Sequence, residues 1–364
     1  MRETDPIADR CPKRMTHGPC GGVRPDGSCE IGGRCEFVDR AGPQRISTAG
    51  STGLGPLGSP VPATVVAAAP TGRALGVASR ALLARLLDPA ATRPFVIADL
   101  PSPGPGPELE HRLGGQLAGR VDAVLLGDAP WARVQLPPSV RGRIAIEEGL
   151  TPWSGLNARD RNRVALESEL HGLQATGVAA VHVVTGDHPE LGHRPDAAGV
   201  FDLDSTDLAA LASRGTGLVI SAAESPLAPP TAARAARAAA KHAAGVDVLF
   251  VNHCAPEELE AFAAELAQLA PAMPLIACIP LVLSRTGADR VAHYLHAAPP
   301  PDLVAALDEP DPLAAAVAGA IRHAERVAAI PGVVGIDLSA PAGPGEELDV
   351  ARALALTGRA LGVE

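Results

Sequence analysis

Four cysteines fall within residues 11–35, in Cys11-Pro-Lys-Arg-Met-Thr-His-Gly-Pro-Cys20-Gly-Gly, then Cys29-Glu and Cys35, and only Cys254 and Cys278 occur later. Eight, eight and five residues separate the clustered thiols, with Gly18, Gly21, Gly22, Gly27, Gly32 and Gly33 between them. A segment this short and this poor in apolar residues cannot bury its own core, so a metal or disulfides must hold it. Glycine permits the tight turns that let several thiolates converge on one centre. The first residues carry charges of both signs and no apolar leader run, and no stretch of eighteen apolar residues occurs, so no membrane span is expected. The reading is cytosolic, where thiols stay reduced, and Cys11, Cys20, Cys29 and Cys35 are expected to ligate metal. Zinc and a [4Fe–4S] cluster are both four-thiolate options, and without Cys-x-x-Cys pairs the choice stays open. Free or redox-active thiols are the alternative, and His17 reads as a loop histidine before it reads as a ligand.

A second group of polar residues follows short aliphatic runs. Asp99 ends Phe95–Asp99; Glu147-Glu148-Gly149 ends Arg143–Glu147; Thr185-Gly186-Asp187-His188 ends Ala180–Thr185. Asn252-His253-Cys254 follows Val246–Val251, Cys278 closes Leu275–Ile279, and Asp337 closes Val333–Asp337. Carboxylates and amides around one mouth suit acid–base chemistry on a polar heterocycle. Each one alone is as readily a helix cap or turn former, the favoured reading for Glu148 and Asp337. Cys254 and Cys278 read as small apolar residues and His253 as a structural histidine.

The elements that must hold these groups alternate regularly. With Ala123–Leu126 and Leu218–Ser221 the predicted strands number eight, separated by helical segments such as those carrying Leu166, Leu170 and Leu173, or Leu259, Phe262, Leu266 and Leu269, on one face. Asp204-Ser205 caps one helix, and Gly177 and Gly245 stand where helices stop before strands. Eight βα units predict an α/β (β/α)8 TIM-type barrel preceded by a small cysteine-rich metal-binding module, with chemistry at the C-terminal strand ends. A doubly wound sheet is the alternative, but no Gly-x-Gly-x-x-Gly turn follows the first strand. The expected organisation is a module at 1–40, a Gly/Ser/Pro linker at 41–74 and the barrel at 75–364, with a first helix near Ser79–Leu87. The formal charge of −10 and an aromatic share of 2% argue against a nucleic-acid surface.

Several stretches resemble the methylenetetrahydrofolate reductase family: Asp160-Arg-Asn-Arg-Val-Ala-Leu-Glu-Ser-Glu-Leu, Gly177-Val, Val183-Val-Thr-Gly-Asp-His-Pro, Gly199-Val-Phe-Asp-Leu-Asp-Ser, Lys241-His-Ala-Ala-Gly-Val-Asp and Ile279-Pro-Leu-Val-Leu-Ser-Arg. They run in family order through most of residues 95–337. The Cys11-Pro-Lys…Gly-Pro-Cys-Gly-Gly…Cys29-Glu…Cys35 segment resembles the cysteine module attached to a subset of such reductases, there at the C-terminal end or on a partner subunit. The resemblance implies a (β/α)8 barrel of one-carbon metabolism, serving methionine biosynthesis, that reduces methylenetetrahydrofolate to methyltetrahydrofolate with hydride from NAD(P)H through FAD. It implies that Asp187 lies between pterin and flavin, that Asp99 is the general acid in place of a glutamate, and that Asn252 binds the pterin in place of a glutamine. Lys241, with Arg237 one turn earlier, falls where cofactor phosphates are held. Two departures bear on the flavin: a family His-Leu-Thr, placed after the third strand, reads Gly149-Leu-Thr, and a Tyr-Pro-Glu-like stretch reads Ala222-Ala-Glu-Ser-Pro. The alternatives are direct nicotinamide use, a non-catalytic folate-binding or electron-relay subunit whose module docks a partner, and a methyltransferase barrel.

Overall fold

The computed structural model describes residues 10–39, 73–102, 104–127, 134–295 and 299–363. Eight parallel strands close into one barrel: β1 (Phe95–Asp99), β2 (Ala123–Leu126), β3 (Pro152–Asn157), β4 (Ala180–Val184), β5 (Val219–Glu224), β6 (Val248–Val251), β7 (Leu275–Pro280) and β8 (Val333–Ser339). β8 returns to β1 with Ile97 opposite Asp337. Alternation along each strand sends one set of side chains inward, including Phe95, Ile97, Leu125, Trp153, Val219, Phe250 and Ile276. The other set, with Val96, Val124, Val183, Leu249 and Leu338, meets the surrounding helices. Leu166, Leu170 and Leu173 are buried on one face of the helix Arg163–Ala175, each worth about 2 kcal/mol of apolar burial. The helix Val77–Leu86 closes the N-terminal end, where Leu82 and Leu86 join the inward cluster and Ser79 donates to the Ala179 carbonyl.

Seven of the eight predicted strands appear, most with bounds shifted by a residue or a few. The third does not. Arg143–Glu147 is the second half of the helix Pro138–Glu147, and the real β3 starts at Pro152. Ile-Ala-Ile is a short aliphatic run like those of the other strands, but the flanking Arg143 and Glu147 form an exposed i,i+4 pair at 2.9 Å. Pro138 fits the first turn of a helix, where its missing N–H costs nothing. β3 is buried at all six positions and carries Pro, Ser, Gly and Asn in place of β-branched residues. Gly149-Leu-Thr therefore precedes β3 rather than following a strand.

The cysteine segment is turn-rich, with one antiparallel bridge between Ser28 and Arg34. Met15 and Phe37 form its small core against Cys11, Cys20 and Cys35. Residues 41–72 of the expected linker lie outside the described residues. The chain resumes on the barrel, where Arg73 pairs with Asp247. Among the described residues no helix is long and apolar enough to cross a membrane.

Candidate functional site

The C-terminal mouth of the barrel has two unlike halves. One is built by β7, β8 and β1. Asp99 ends β1 part-buried, its carboxylate taking the Gly127 N–H from the end of β2. Burial outweighs the attraction of Arg141 and pushes the Asp99 acid up to about 7. Arg141 itself is committed to Glu110 and the Gly127 carbonyl. Asp337 is not the cap or turn former that the sequence favoured. It sits inside β8, 3% exposed, hydrogen-bonded to the Cys278 thiol and with Oδ1 unpartnered. Burial and the nearby Asp99 hold it protonated well above the carboxylate range, and burial also raises the Cys278 thiol. His253, just past β6, ties to β7 and β8: Nδ1–H donates to the Cys278 carbonyl at 2.9 Å, leaving Nε2 to accept from Ser339 Oγ at 3.0 Å. Burial lowers its pKa to about 4, which suits the structural role expected of it. Glu148 ends its helix and pairs with His111, as its bland reading implied.

The other half lies beyond β4, β5 and β6, and here the cysteine module docks. Asp204, the N-cap of the helix Ser205–Gly215, receives Thr206 and Asp207 N–H on one oxygen. Its other oxygen accepts Thr16 N–H, Thr16 Oγ1–H and His17 N–H at 3.0–3.1 Å. His17 Nε2 stands 3.0 Å from Asp207. His17 and Arg237 overcome burial and hold Asp204 down to about 2. Among the described residues His17, Asp204 and Asp207 are the one set of three ligand atoms within 4.8 Å of one another, but these hydrogen bonds already occupy them.

Arg237 and Lys241, on the helix Arg234–Ala243, lie 4% and 2% exposed with their heads turned onto Glu224 of β5. Arg237 Nη1 also donates to the His17 carbonyl at 2.9 Å. Arg234 binds Glu224 and the Pro19 and Cys20 carbonyls. Glu224 stays ionised, its acid down at about 2, because Lys241, Arg237 and Arg234 surround it against the cost of burial. Burial brings Lys241 down to about 8. The two cations expected to meet cofactor phosphates are thus engaged beneath the module, and Ala222 and Ala223 offer no ring to stack on a flavin. The residues do not fit FAD.

Asp187 and Asn252 follow the C-terminal ends of β4 and β6 on this same side. The Asp187 side chain is 39% exposed, 4.0 Å from Lys13 Nζ. Asn252 is exposed and its Nδ2 donates to Ser225 Oγ at 2.7 Å. A Cβ at Gly21 would stand 2.8 Å from that same Ser225 oxygen. Asp99 and Asp187 therefore share one barrel end but belong to opposite halves of it.

The four thiols lie near enough to act on one another electrostatically: Cys20 acts on Cys11, Cys29 and Cys35, and burial raises all three, Cys11 to about 11. Such thiols ionise where a cation meets them, which fits a metal centre. No three of their sulfurs come within 4.8 Å of one another, whereas sulfurs on one tetrahedral zinc stand about 3.8 Å apart. The glycines between them answer to the interface as well as to the thiols: Gly18 has φ +93°, and a Cβ at Gly22 would lie 1.9 Å from Glu30 Oε2. Sequence reasoning missed Lys13, Glu30, Glu224 and Arg234; Lys13 and Glu30 adjoin the cysteines in the motif and carried the available signal.

Residues 6–49 match the family model described as methylene-tetrahydrofolate reductase C terminal, which covers the module and not the barrel. No curated protein matches the chain. Solved structures with a similar barrel include 2,3-dimethylmalate lyase, a PEP mutase/isocitrate lyase superfamily member (15% identity, 72% of this chain and 81% of that one, TM-score 0.43). Phosphonopyruvate hydrolase (16%, 78% and 84%, 0.44) and a Rubisco-like protein from Rhodopseudomonas palustris (14%, 81% and 71%, 0.40) are others.

Proposed function

We propose that this protein is a methylenetetrahydrofolate reductase-like oxidoreductase that takes hydride directly from a nicotinamide. The observation that carries the reading is a carboxyl at the barrel mouth, Asp99, able to hold a proton near neutral pH, on the same barrel end as Asp187 and Asn252. Protonation of a folate ring nitrogen by Asp99 opens the methylene bridge to an iminium. Hydride from the nicotinamide then reduces that iminium to the methyl group, and Asp99 regains its proton from solvent. Asp187 and Asn252 grip the pterin through its N–H and carbonyl edge. Direct hydride transfer is favoured because Arg237 and Lys241 are already paired with Glu224. For the thiols, the wide sulfur spacing favours a [4Fe–4S] centre over zinc.

The test is the visible spectrum and turnover of anaerobically purified protein. NADH or NADPH oxidation that requires methylenetetrahydrofolate, with no flavin absorbance and with loss of at least about a hundredfold in Asp187→Asn, is the expected result. A second reading, a folate-binding or electron-relay subunit, draws on the docking of the module beside Asp187. Methyltetrahydrofolate binding without any turnover would select it instead.

A further inference from the structure

The loop that carries Asp187 is held from outside the barrel. The His188 N–H donates to Glu30 Oε1 at 2.8 Å, bridging 158 residues of sequence. Glu30 is 3% exposed, and the same oxygen takes the Lys13 ammonium at 2.7 Å. Lys13, itself 4% exposed, presents the other side of that ammonium to Asp187 at 4.0 Å. Gly22 leaves the space in which the Glu30 carboxylate lies. The His188 ring stacks on Phe201 with centroids 6.0 Å apart, so the loop is gripped on both its backbone and its side chain. The module that supplies Lys13 and Glu30 is anchored separately, through Asp204, Asp207, Arg234 and Arg237. Its pair therefore reaches the loop from a fixed support.

We propose that Lys13 and Glu30 are positioning residues of the barrel's ligand site: Glu30 fixes the backbone directly after Asp187, and Lys13 supplies the fixed positive charge that faces its carboxylate. The binding mouth is complete only with the cysteine module docked, and the module is a wall of the site rather than a tether. This rests on the reading of Asp187 as ligand-facing. A carboxylate oriented by a buried ammonium accepts paired N–H donors, so the ligand class is a nitrogen heterocycle with an amidine-like edge.

Hydrogen exchange on the full chain tests the positioning without any need for turnover. A hydrogen bond to a buried charged group shifts local opening by roughly ten- to a hundredfold. Glu30→Met, which keeps the bulk and removes the acceptor, should speed exchange across residues 186–190 by about tenfold or more, with β4 and the anchoring residues 15–20 unchanged and metal content intact. Lys13→Met should weaken methyltetrahydrofolate binding about tenfold in calorimetry, and Lys13→Arg should recover part of it. Unchanged exchange at 186–190 in Glu30→Met overturns the proposal. So does a rise spread evenly over the whole module, which would make the pair a folding element of the module alone. If the unaltered protein binds no folate, the proposed function fails while the exchange result still decides the positioning.

Discussion

Replacing Asp99 with Asn should stabilise the protein at pH 8 and leave it unchanged near pH 3. Burial carries the Asp99 acid from its ordinary 3.8 to about 7. Between those values the folded chain binds more protons than the unfolded chain, so stability falls as pH rises through the window. Each tenfold change in proton affinity is worth about 1.4 kcal/mol, which puts the full displacement at about 4 kcal/mol. Asp99 sits part-exposed at the mouth, and solvent screening reduces the expected gain to about 2 kcal/mol. Asn keeps an oxygen for the Gly127 N–H, so the substitution removes the charge and spares the hydrogen bond. Urea unfolding of both proteins from pH 3 to pH 8 measures the gap, which should open between pH 4 and pH 7. Equal stability at pH 8, or a variant weaker than its parent there, would refute the burial argument and with it the case for Asp99 as a proton donor.

Cys20→Ser should lower metal content and loosen residues 10–39 while the barrel unfolds at its usual temperature; elemental analysis showing unchanged stoichiometry would sink the four-thiolate centre. Asp204→Ala removes an acceptor for the module's Thr16 and His17 and should weaken docking by about 2 kcal/mol, read as faster proteolysis within residues 10–39. The unaltered protein should follow the same course as the pH falls from 4 toward 2, because Asp204 is held down to about 2 and its contribution is lost only as it protonates. Pepsin cleavage of the module that does not change over that interval would contradict it.

The barrel was legible because its strands are short aliphatic runs between amphipathic helices, a pattern that Ala180–Val184 and Leu275–Pro280 carry in sequence alone. Arg143–Glu147 misled because so short an aliphatic run fits either period, and β3 escaped because a strand buried on both faces needs no alternation. The placement of Asp99, Asp187 and Asn252 at one barrel end could be read because each directly ends or follows an aliphatic strand. Glu224 could not: it reads as one more residue after a strand, and only the fold brings Arg234, Arg237 and Lys241 around it. Asp337 looked like a turn former because strand β8 runs on to Ser339, past the point where the aliphatic run ends.

The electrostatics of the interface link the thiols to the docking. Cys20 is among the groups that hold Lys13 charged, and it acts in the same sense on Arg234. Both cations are buried where module meets barrel, and burial alone works against them. Four thiolates on a [4Fe–4S] core of charge +2 would leave two negative charges in excess, which is the counter-charge these cations call for. Thiols raised by burial and by one another would protonate once their metal left. Lys13 and Arg234 would then keep Glu30 and Glu224 but lose the thiolate field, and the module would be the first part of the molecule to come away.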